Sequence, residues 1–119
     1  MKYLILAFAL LASCKNPLRE FTAQNQTDIN TVAVQEKFYI KLGECIGCED
    51  AWKMLQGSDL INLLEQHTVS SCEDCDGGSG TEDFLFEAKS VGQAKMIFEY
   101  FGDTLEFHFE VIDSLNREN

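Results

Sequence analysis

Proline is almost missing from this chain: Pro17 is the only one in 119 residues. That excludes a polyproline stalk or a rigid proline-rich linker. No apolar run is long enough to cross a membrane as a helix, since the longest, Tyr3 to Ala12, has ten residues against the roughly 20 required. Cations are also few, 9 Lys and Arg against 20 Asp and Glu, for a net charge of −11. Phosphate backbones and anionic lipid surfaces both demand Lys and Arg, so neither nucleic acid nor a lipid surface is an expected partner. There are two histidines, His67 and His108, and neither has a Ser or Asp partner at a recognisable spacing. The acids are scattered, with no carboxylate pair marked out for acid–base work. The expectation is a binding protein that is not an enzyme and carries no cofactor or metal.

What remains fits one domain and not two. Apolar residues make up 45% of the chain, enough for a core. Lys2 followed by the ten-residue apolar run has the form of a signal peptide. The run ends Leu11-Ala12-Ser13-Cys14, which resembles the lipobox of bacterial lipoproteins. That resemblance implies cleavage before Cys14 and acylation of its sulfur. The alternative is an ordinary secretory signal with a chance cysteine. Either way the mature chain is exported, as a membrane-anchored lipoprotein of the periplasm or cell surface or as a secreted protein. Its charge is 8 minus 20, or −12, because residues 1–13 remove Lys2 and no acid. Residues 14–30 read as a lipid-anchor cysteine and polar tether, 31–113 as the folded domain, and 114–119 as a polar tail.

Beyond residue 30 the apolar residues alternate. Thr31 to Val34 is a short candidate strand. Phe38, Ile40 and Leu42 share one face, as do Phe84, Phe86 and Ala88, then Ala94, Met96, Phe98 and Tyr100, then Leu105, Phe107, Phe109 and Val111. Period two with aromatic enrichment and turn residues between the runs predicts strands, and several such strands predict a two-sheet sandwich. Trp52, the only tryptophan, reads as a core residue of the third strand. Leu60, Leu63, Leu64 and His67 instead follow helical spacing, which predicts a helical turn before a strand.

Four cysteines form two C-x-x-C pairs, Cys45-Ile46-Gly47-Cys48 and Cys72-Glu73-Asp74-Cys75. Three readings are open. Export favours disulfides among Cys45, Cys48, Cys72 and Cys75. The spacing also suits a four-cysteine zinc site, although Glu49, Glu73, Asp74 and Asp76 add negative charge that four thiolates do not need. A thiol-redox module is the third reading; acidic flanks would raise rather than lower the thiol pKa.

The run Gly77-Gly78-Ser79-Gly80-Thr81-Glu82-Asp83-Phe84-Leu85-Phe86-Glu87-Ala88-Lys89 is similar to the glycine-rich loop and following strand of the chagasin family of cysteine protease inhibitors. Val91-Gly92, Met96-Ile97-Phe98-Glu99-Tyr100 and Glu106 to Ile112 follow in that family's order. Thr31-Val32-Ala33-Val34, Phe38-Tyr39-Ile40-Lys41-Leu42 and Trp52 fall at similar spacings, so the resemblance spans about residues 29–113.

The resemblance implies an all-β, immunoglobulin-like two-sheet β-sandwich of the chagasin type, preceded by a signal peptide. It implies a monomer that occludes the cleft of a papain-like cysteine protease with three loops at one end. The B–C loop would be Cys45, Ile46, Gly47, Cys48 and Glu49, where the family carries Asn-Pro-Thr-Thr-Gly. The D–E loop would be Gly77, Gly78, Ser79, Gly80 and Thr81. The F–G loop would be Phe101, Gly102, Asp103 and Thr104, where the family carries Arg-Pro-Trp. The scaffold is kept and the inhibitory surface is rewritten, so an interaction domain with an unrelated protein partner is the alternative. By the same resemblance both C-x-x-C pairs lie at the loop end, where disulfides between them would join the B–C and D–E loops.

Overall fold

The computed structural model describes residues 17–46, 50–70 and 78–113. The signal peptide (1–13), Cys14, Gly47, Cys48, Glu49, Cys72, Cys75, Gly77 and the tail 114–119 lie outside the described residues.

Among these, eight strands build the fold: β1 (Arg19–Phe21), β2 (Ile29–Ala33), β3 (Lys37–Ile46), β4 (Lys53–Gln56), β5 (Ile61–Ser70), β6 (Gly78–Ala88), β7 (Gly92–Tyr100) and β8 (Asp103–Ile112). They form two four-stranded sheets, ordered β1-β3-β6-β5 and β2-β8-β7-β4. The pairs β1–β3 and β2–β8 are parallel and the rest antiparallel. The predicted sandwich is therefore the observed fold. Its core is the set of alternating residues read from the sequence: Phe38, Ile40, Leu42, Phe84, Phe86, Met96, Phe98 and Phe107 are fully buried, and Phe109 and Val111 are 1% exposed. Phe98 meets Phe84 of the opposite sheet at 4.9 Å between centroids, which joins the two sheets, and Phe107 of its neighbour strand at 5.6 Å.

Two expectations change. The stretch expected to be a polar tether contains regular structure: Arg19–Phe21 is a strand and Ala23–Thr27 a 3-10 helix capped by the Thr22 side chain. Phe21 is buried against Phe38 and Phe109, and Arg19 pairs with Glu36 at 2.8 Å. The folded domain thus begins before residue 31. The second change concerns Leu60 to His67, which contains no helical turn. Ile61 closes a turn onto the Ser58 carbonyl, and Ile61–Ser70 is extended. The pairing with β6 slips between Leu63 and Glu65, leaving Leu64 as the extra residue of a bulge. That bulge breaks period two and makes an extended run imitate helical spacing.

Candidate functional site at the loop end

The ladder between β3 and β6 runs past the apolar core toward one end of the sandwich. Gly43 pairs with Thr81, Glu44 with Gly80, Cys45 with Ser79 and Ile46 with Gly78. Gly78, Ser79, Gly80 and Thr81 are thus the first residues of β6 rather than a loop, and Cys45 and Ile46 are the last of β3. Glycine content alone suggests a turn, but β3 offers each of these residues a ladder partner, and extended backbone is open to glycine.

Trp52 sits just before β4, buried, with its indole Nε1–H donating to the Gly43 carbonyl at 2.6 Å. Its ring stacks on Tyr100 at 5.0 Å, and Tyr100 packs on Phe101 at 4.7 Å. This aromatic ladder runs from the core to the surface, where Phe101 is 58% exposed. The Cys45 backbone N–H donates to the Tyr100 hydroxyl at 2.8 Å, which ties the end of β3 in one sheet to the end of β7 in the other.

Phe101 and Gly102 form a two-residue hairpin turn between Tyr100 and Asp103, with φ of 51° and 84°. Both centres lie in the left-handed region, as a type I′ turn requires. Glycine takes this φ freely and phenylalanine does not, so Phe101 is held at a cost. Its N–H donates to Asp50 Oδ2 at 3.1 Å, and the Ala51 N–H donates to Asp50 Oδ1 at 2.9 Å. Those two N–H groups, the Phe101 one foremost, hold the Asp50 carboxyl below its ordinary range. Asp103 and Thr104, expected in this loop, are exposed residues that open β8.

Beneath the ladder lie two buried acids, Glu44 (9% exposed) and Glu82 (4%). Glu82 accepts hydrogen bonds from Gln66 Nε2 and Thr68 Oγ1, each at 2.6 Å. Glu44 Oε1 accepts the Trp52 backbone N–H at 3.2 Å. Burial pushes the Glu44 carboxyl up, the Trp52 N–H pulls it back, and the hydrogen bond with Glu82 and that residue's charge push it up further.

Of the four cysteines in the C-x-x-C pairs, Cys45 alone falls in the described residues, where it is exposed at the end of β3. His67 and His108 are surface residues, each 2.9 Å from a glutamate two positions earlier on the strand, Glu65 and Glu106. Among the described residues no group of three or more His, Cys, Asp or Glu side chains could hold a metal ion.

Glu44, Asp50, Glu82 and Tyr100 are the parts of this end that sequence reading did not assign to it. Period two carried one step beyond Leu42, and one step before Phe84, puts Glu44 and Glu82 on the core side. Asp50 and Tyr100 are tied into this end by partners distant in sequence, the Phe101 N–H and the Cys45 N–H.

No protein-family model matches the chain, and no curated protein matches it in sequence. Solved structures do match. The solution structure of amebosin aligns with a TM-score of 0.63 at 17% identity, covering 83% of this chain and 100% of amebosin. The crystal structure of the cysteine protease inhibitor EhICP2 from Entamoeba histolytica aligns with a TM-score of 0.60 at 12% identity, covering 81% of this chain and 99% of that one. PbICP-C, solved in complex with falcipain-2, aligns more loosely, with a TM-score of 0.48 at 13% identity over 86% of this chain and 95% of the other. The first two establish a shared fold.

Proposed function

We propose that this chain is an exported, lipid-anchored inhibitor whose loop end occludes the active-site cleft of a papain-like cysteine protease. The observation that carries the reading is Phe101: an exposed aromatic ring at the tip of a two-residue hairpin, braced by Asp50 and backed by Tyr100 and Trp52. A tip fixed before contact loses little freedom on docking, so its buried area is not offset by ordering cost. Phe101 takes the place of the aromatic anchor that this sequence lacks. The shared fold with EhICP2, a cysteine protease inhibitor, supports an inhibitory role. Inhibition is reversible and needs no catalytic residue.

Disulfides between Cys45 or Cys48 and Cys72 or Cys75 would complete the docking end by joining the two loops. Peptide mapping of the unreduced protein tests this: bonds within each C-x-x-C pair would contradict it.

The anchor is the acylated Cys14. β1 runs parallel to β3, with Arg19 opposite Phe38 near the start of that strand, whereas the loop end lies at its finish. A lipid on Cys14 would therefore hold the pole opposite the loops and present them away from the membrane. Fatty-acid labelling lost in Cys14→Ser supports the anchor; labelling retained in that variant counts against it.

The decisive test of function is titration of the mature domain against papain-like enzymes with a small substrate. Saturable, reversible inhibition is expected. None at micromolar inhibitor, with the domain shown to be folded, contradicts the proposal.

A further inference from the structure

The inward rows of β3 and β6 do not end on apolar residues. They end on Glu44 and Glu82, beneath the segment that carries Trp52. Glu44 lies opposite Gly80 and Glu82 opposite Leu42, so the two acids are diagonal neighbours on one face of the ladder, and both are buried; two carboxyl groups so placed are held together most easily when one of them carries a proton. Among the described residues neither is paired with a cation. Asp50, on the segment before β4, is another acid, and Lys53 is engaged with Asp50 and with Glu99 of β7. Lys41 and Asp83 lie on the outer face of the sheet, where Lys41 also meets Glu20. His67 of β5 points outward to Glu65. The remaining contacts come from neutral Gln66 and Thr68 of β5 and from the Trp52 backbone.

A chain of contacts leads from this pair to the hairpin tip. Glu44 holds the Trp52 N–H, the Trp52 ring stacks on Tyr100, and Tyr100 supports Phe101. We propose that Glu44 is a proton-dependent positioning residue: while it shares a proton with Glu82 it holds Trp52 and the Phe101 hairpin in the docking arrangement, and loss of that proton loosens them. This rests on the reading of the loop end as the protease-docking surface. When the proton leaves, two charges confront each other in a dry site. Glu44 is then drawn toward water and releases the Trp52 N–H. The docking arrangement holds more protons than the loosened one, so by linkage affinity for a protease increases in acid.

Trp52 is the only tryptophan, so its fluorescence reads this region directly. The mature domain, without protease, is titrated from acid to mildly alkaline pH as wild type, Glu44→Gln, Glu82→Gln and His67→Asn. Glutamine at 44 keeps an acceptor for Trp52 and donates to Glu82, imitating the protonated pair; Glu82→Gln is the second variant should the first not fold. Wild type and His67→Asn should show one emission transition centred above the ordinary glutamate value of 4.5, and both glutamine variants should lack it. A flat wild-type profile, a transition retained in Glu44→Gln, or its loss in His67→Asn would overturn the proposal. In a second arm the ratio of wild-type to Glu44→Gln inhibition constants, which cancels the protease's own pH dependence, should rise severalfold from acid to alkaline pH; a constant ratio overturns the coupling to docking. If the transition behaves as stated and no protease is inhibited at any pH, the inhibitor reading fails while the positioning role of Glu44 stands.

Discussion

Asp50 and Phe101, 51 positions apart, are joined by a backbone N–H to carboxylate hydrogen bond of 3.1 Å. The acid lies on the segment leading into β4, and the amide belongs to the hairpin between β7 and β8. Asp50→Ala should leave the sandwich folded by circular dichroism while weakening inhibition severalfold, through faster dissociation. Asp50→Asn, which keeps an acceptor oxygen, should lose less. Equal inhibition by wild type and Asp50→Ala would show that the brace is not used.

At Phe101, stability and binding should part. Its positive φ suits Asn-Gly far better than Phe-Gly. Phe101→Asn should raise unfolding stability by up to about 1 kcal/mol in urea and still inhibit at least roughly tenfold more weakly, as loss of an interface anchor does. Weaker binding with lower stability would instead mean that the ring supports the fold.

The Tyr100 hydroxyl is the link between the Cys45 amide and the opposite sheet. Tyr100→Phe keeps the stacking on Trp52 and removes only that acceptor. A loss of about 1 kcal/mol is expected from urea unfolding, together with faster amide exchange at Cys45.

In the core, Phe98 touches Phe84, Phe86 and Phe107 from the opposite sheet and from its neighbour strand. Phe98→Ala should cost about 3–5 kcal/mol. A loss below about 1 kcal/mol would mean that the sheets are not packed through this residue.

The two shifted acids give opposite pH signs. Glu44 has its folded-state pKa raised, so its contribution is full below the unfolded value of 4.5 and is lost as pH rises through the folded value. Asp50 has its pKa lowered, so the brace persists above 3.8 and is lost as pH falls through the folded value. Thermal melts should therefore show stability falling as pH rises out of mild acid, and Glu44→Gln should flatten that slope. A wild-type melting temperature that climbs steadily from mild acid to neutral pH would contradict the sign for Glu44.

The sheet faces were legible because burial on one side imposes period two, and Phe38-Ile40-Leu42, Phe84-Phe86 and Phe107-Phe109-Val111 each carry it plainly. β1 was not, since three residues with one apolar side chain, Phe21, make no period; only long-range pairing with β3 defines it. Gly78 to Thr81 were placed in a loop by resemblance and lie in β6, because β3 offers each of them a ladder partner. Leu63 and Leu64 misled by periodicity, because a bulge shifts the phase by one residue. At the loop end Phe101 and Gly102 were placed by resemblance. The Asp50 brace and the Glu44–Glu82 pair arise from contacts that no local window contains.

Inhibition by this chain requires that its loop end fill a protease cleft. The most direct measurement is binding of the mature domain to one papain-like protease in two forms, free and with its cleft filled by a covalent peptide-like blocker, by surface plasmon resonance. Saturable binding to the free enzyme, weakened by Phe101→Ala, and none to the blocked one is the expected result. Equal binding to both forms, or binding to neither by a folded domain, would contradict it.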